Sequence, residues 1–126
     1  MFLHLSDGLV EQDFSLSMKM DSIMIKKAKE IIHSHVENIL KIEDICQELQ
    51  LTTFQFIRLF KKYTGITPYQ YFLNCKVERA KSIIEQTGDI YAGVAQCGFV
   101  DLPHLNKHFK SIFGITAFEY LSIVKN

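Results

Sequence analysis

Arg58, Lys61 and Lys62 fall within five residues of a 126-residue sequence, and Lys107 and Lys110 stand 49 positions after Arg58 and Lys61. On a helix, residues three apart share a face, so each set forms a small cationic patch. Such groups bind phosphate oxygens. Arginine can also lay its planar fork on the two acceptors of a guanine edge, and an apolar neighbour such as Phe54 can meet a thymine methyl.

Other reactive side chains occur in patterns that carry less. His104 and His108 are four apart, a metal-capable spacing, but no thiol or carboxylate lies nearby in sequence to complete a site. A packed or phosphate-facing role is the expectation, and no metal or other cofactor is assigned. His33 and His35 point to different sides of one helix. Cys46, Cys75 and Cys97 are odd in number, widely spaced and set in apolar helical pattern, so buried free thiols are expected. Tyr71 and Tyr120 are read as core anchors. With no glycine-rich phosphate loop, no nucleophile elbow and scattered carboxylates, the sequence does not point to an enzyme.

The elements that must position the cations are helical. Two prolines and six glycines among 126 residues, with 48% hydrophobic content, favour long helices over a turn-rich β fold. Residues 1–20 show little periodicity and are read as a lead or linker. From Asp21, taken as an N-cap, a helix is predicted that places Ile25, Ala28, Ile32, Val36 and Ile39 on one side. A short helix follows, with Ile42, Ile45, Cys46 and Leu49 on one face. Thr52 starts a third that Gly65 closes; Thr67, Pro68 and Gly88 bound a long fourth. The cycle then restarts with Asp89, turns at Gly98, restarts at Asp101 and stops at Gly114, and a last helix follows Thr116. The expected fold is all-α, about seven helices, as two helix-turn-helix lobes over residues 21–66 and 89–126, joined by a helix across 67–88.

The repeat is explicit. "FKKYTGITPYQYF" from Phe60 and "FKSIFGITAFEYL" from Phe109 agree at six of thirteen positions. The short helices align at an offset of 48 and the longer ones at 49, so the second turn is one residue longer. On the wheel of the first long helix, Phe56, Leu59, Phe60 and Tyr63 face inward. Phe54, Arg58 and Lys61 lie opposite, flanked by Ile57 and Lys62. In the second copy Leu105, Phe109 and Ile112 face inward, while Pro103, Asn106, Lys107 and Lys110 face out. A short helix, a tight turn and a longer helix with a cationic outer face is the unit that places one helix in a DNA major groove.

With Gly98–Phe99, Phe109–Lys110, Gly114–Ile115–Thr116 and Tyr120 in place, the chain from about Asp21 to Leu121 resembles the DNA-binding domain of the AraC/XylS family of bacterial transcription regulators. The resemblance implies two units inserting recognition helices into successive major grooves of double-stranded DNA. Base-contacting positions would fall on Phe54, Ile57 and Arg58, and on Pro103, His104, Asn106 and Lys107. It also implies activation by contact with RNA polymerase. The chain departs from the family pattern at Gly93, Ala117 and Leu121, and places Leu102 and Pro103 at the start of the second recognition helix. The second unit is therefore expected to work chiefly through phosphates.

Net charge is zero, yet residues 1–52 carry five basic and nine acidic groups and residues 53–126 carry nine and five. Local charge sets what a surface attracts. The acidic front leaves a rival reading, a helical protein–protein module with a degenerate DNA surface. A monomeric cytoplasmic domain, without a membrane segment or an effector site of its own, is expected.

Overall fold

The computed structural model describes residues 2–125, with side chains from residue 15 onward. Seven helices occur and no strands among these residues: α1 (Phe2–Ser34), α2 (Ile42–Leu49), α3 (Thr53–Thr64), α4 (Pro68–Thr87), α5 (Ile90–Gln96), α6 (Leu102–Phe113) and α7 (Ala117–Lys125).

From α3 onward the predicted caps form where the sequence placed them. The Thr52 hydroxyl accepts from the Gln55 amide while the Gln55 side chain accepts from the Thr52 amide, a reciprocal box at the start of α3. Thr67 accepts from the amide of Gln70, Asp89 from that of Tyr91, and Asp101 from that of His104. Gly65 and Gly114 end α3 and α6 at a φ of 84°, where a side chain would strain the backbone.

The start of the chain differs from expectation. α1 runs through the segment read as a lead, and Asp21 lies inside it rather than capping it. No proline interrupts residues 2–34, and the Asp21 carboxylate is taken up elsewhere: Tyr63 donates to it at 3.0 Å, joining α1 to α3. A cap-competent residue ends nothing when the chain before it is also helical. The far end differs too. α1 stops at Ser34, where the Ser34 hydroxyl and the His35 ring both donate to the Ile31 carbonyl, at 2.6 and 2.8 Å. The chain then turns, so Val36 is buried as expected but Ile39, expected in the core, is 84% exposed.

The two turns confirm the extra residue. Gln50 and Gly98, 48 apart, both adopt left-handed φ, at 57° and 70°. Two steps later comes the first N-cap, Thr52; three steps later comes the second, Asp101.

Two cores result. Ile25, Ala28, Ile32, Ile45, Phe56 and Phe60 form the first, with Phe72 and Cys75 from α4. Val77, Ala80, Ile83 and Ile84 of α4 join Ile90, Leu105, Phe109 and Ala117 in the second. α4 is thus not a spacer between lobes. Its first half closes lobe one and its second half founds lobe two. Corresponding aromatic pairs anchor both: Phe60 with Tyr71 and Phe109 with Tyr120, each at 5.5 Å between ring centroids.

Candidate nucleic-acid interface

α3 is held by Phe56 and Phe60, both fully buried, which fixes the rotation of the helix and so the face it shows to solvent. That outer face carries Phe54, Arg58, Lys61 and Lys62, all exposed, with Ile57 half-buried. The five residues line a shallow, open depression of about 440 Å³. Phe54 is 73% exposed, so its ring is available to an apolar group of a partner. Arg58, Lys61, Lys107 and Lys110 make no ion pair among the described residues.

α6 is held the same way by Leu105 and Phe109. Pro103, Lys107 and Lys110 are exposed on its outer side. His104 and Asn106 are placed differently from a simple outward reading. The Val100 amide donates to His104 Nδ1 at 3.3 Å, and the ring meets Phe99 edge-on at 5.2 Å, so this histidine helps shape the turn. Asn106 Oδ1 accepts from the amides of Ala117 and Phe118, at 3.0 and 3.4 Å, which caps the start of α7. Its oxygen is committed to holding α7 on α6.

His108 meets His104 edge-on at 5.0 Å and lies near Phe99. Burial first, then the neighbouring His104 and Lys107, lower its pKa from the ordinary histidine value. No group of three or more metal-ligating side chains occurs among the described residues. His33 and His35 diverge as expected: His33 pairs with the Tyr71 hydroxyl at 3.0 Å, whereas His35 folds back on its own helix. Cys46, Cys75 and Cys97 are all buried and free, and burial pushes the Cys97 thiol up to about 11.

A family model described as a helix-turn-helix domain matches residues 45–122, a span that includes α3, α6 and the turn before each. This chain belongs to the AraC/XylS family. Among relatives of the AraC-type domain, the regulator GbdR of Pseudomonas aeruginosa is 31% identical over 86 residues, or 68% of this chain. The chain spans only 23% of the length of that regulator. A crystal structure of an AraC-type regulator from Chromobacterium violaceum superposes with a TM-score of 0.75 at 28% identity, covering 82% of this chain and 93% of that one. The DNA-binding domain of AdpA, solved in complex with a target DNA, shares the fold with a TM-score of 0.68 at 20% identity, covering 80% and 92%. No helix among the described residues is long and apolar enough to cross a membrane.

Lys76 is the residue that sequence reasoning missed. Only 7% exposed, it is the buried charged residue of the described chain. A signal was available: Phe72, Lys76, Ala80 and Ile84 recur every four residues, so the lysine interrupts an apolar stripe.

Proposed function

We propose that this domain binds double-stranded DNA sequence-specifically and regulates transcription, with α3 and α6 as recognition helices in successive major grooves. The observation that carries the reading is the doubled geometry. Two helices, each pinned by buried apolar residues, present cations that make no ion pair among the described residues at corresponding positions, Arg58 and Lys61 against Lys107 and Lys110. The lobes have different tasks. α3 offers a guanidinium and apolar groups able to read base edges; α6, led by Leu102 and Pro103 and with the Asn106 oxygen occupied, offers mainly ammonium groups for phosphates. Activation through RNA polymerase completes the proposal.

The test begins by selecting bound duplexes from random DNA and titrating the best one. Arg58→Ala is expected to cost about 1–3 kcal/mol there, concentrated at one base pair of the first half-site. Folding should be kept, because Arg58 lies opposite the core and alanine favours the helix. Arg58→Lys should retain nonspecific affinity while losing base preference. Preference unchanged across all four bases would remove Arg58 from the reading set, and a chain indifferent to DNA at low salt would refute the proposal outright.

Lys110→Ala should behave otherwise. It should weaken all sequences alike and make the slope of log affinity against log salt shallower by about one unit. A loss confined to the preferred site would show α6 reading sequence.

A further inference from the structure

Lys76 lies at the midpoint of α4, between Cys75, the last α4 residue of the first core, and Val77, the first of the second. Its ammonium donates to the Val36 carbonyl just past the end of α1, at 3.0 Å, and to the Cys97 carbonyl at the end of α5, at 2.6 Å. It also sits 4.7 Å from the centroid of the Phe72 ring. One acceptor belongs to lobe one and the other to the turn that leads into α6. We propose that Lys76 is a positioning residue for DNA recognition: it ties the two lobes together and fixes the placement of α6 relative to α3.

Three features support the tie. Among the described residues, no helix from α1 to α3 packs against α5, α6 or α7; the two groups of helices meet through α4. A shared helix leaves bending and twisting at its middle unopposed unless something crosses the seam, and Lys76 crosses it. Burying an ammonium is unfavourable unless its donors are satisfied, and here carbonyls just past two helix C-terminal ends supply both bonds and favourable dipoles. Space is also reserved for it. A Cβ added to Gly98 would come within 3.1 Å of Nζ, so the second turn closes directly on the lysine. Arg79 reinforces the lobe-one side, pairing with Glu37 at 3.1 Å. Desolvation lowers the lysine's pKa, as its enclosure requires.

The effect on operators rests on the DNA-binding reading above, so the test has an arm that does not. Spin labels are attached to cysteines introduced at Thr53 on α3 and Ser111 on α6, both exposed, with the unsubstituted chain as the labelling control for the buried native thiols. The distance between labels is then measured without DNA. The wild-type background should give one narrow distribution, Lys76→Met a broadened or displaced one, and Lys76→Arg a narrow one again. In the DNA arm, a one-base-pair change in half-site spacing that costs the wild type about 10-fold should cost Lys76→Met only about 2- to 3-fold. A Lys76→Met distribution as narrow as wild type overturns the proposal. Should that variant fail to fold, Lys76→Gln, too short to span both carbonyls, takes its place under the same criterion. If the wild type binds no duplex, the DNA reading fails while the distance measurement still decides the tie.

Discussion

A duplex with five extra base pairs between the two half-sites should bind about 100-fold more weakly than the unspaced operator. B-DNA turns once in about 10–10.5 base pairs, so five of them carry the second half-site to the opposite side of the helix. The protein cannot follow. α3 and α6 belong to lobes built on the two halves of one 20-residue helix, and Lys76 bonds to both lobes across its middle. The duplex cannot compensate cheaply either, because its persistence length is about 150 base pairs. The second binding event then loses the high local concentration that tethering gives it, and affinity falls to that of one lobe. Ten added base pairs restore the face but displace the half-site by about 34 Å, so affinity should stay low. Anisotropy titrations at one fixed salt concentration measure all three duplexes. Equal affinity for the spaced and unspaced sites would mean that a single lobe engages DNA.

What the sequence revealed, and what it hid, divides along a physical line. Helix boundaries at Thr52, Gly65, Thr67, Gly88, Asp101 and Gly114 were legible because each rests on chemistry within a few residues: a hydroxyl or carboxylate reaching the first amides, or a glycine accepting positive φ. The inward faces of α3 and α6 were legible from periodicity, since the core only has to match a stripe already present. Errors arose where a side chain answers to something distant in sequence. Asp21 resembled a cap, yet its partner is Tyr63, 42 residues on. Ile39 fitted the period of a helix that Ser34 and His35 had already ended. Lys76 was hidden by the habit of assigning lysines to the surface, although its stripe was apolar. The outward placement of Arg58, Lys61, Lys107 and Lys110 was easier to read than the supports beneath it, because a helix wheel alone sets it.

Phe109→Ala should destabilise the protein by about 3–5 kcal/mol, and the loss should fall on one lobe. Phe109 is fully buried and packs against Phe113 at 4.8 Å and Tyr120 at 5.5 Å, so truncation empties the centre of the second core. The first core shares none of those side chains: its members on α4 end at Cys75, and its ring pairs are Phe56–Phe60 and Phe60–Tyr71. A cavity in lobe two therefore removes contacts that hold α5, α6 and α7 without touching those that hold α2 and α3. Hydrogen exchange should show amide protection collapsing over α5–α7 and the second half of α4, while α2 and α3 retain most of theirs. Phe60→Ala should give the mirror image. On DNA, Phe109→Ala should keep one-lobe affinity and become indifferent to the five-base-pair insertion, because no second recognition helix remains to be misplaced. Protection lost evenly across all the helices would instead show that α4 couples the two cores into one cooperative unit.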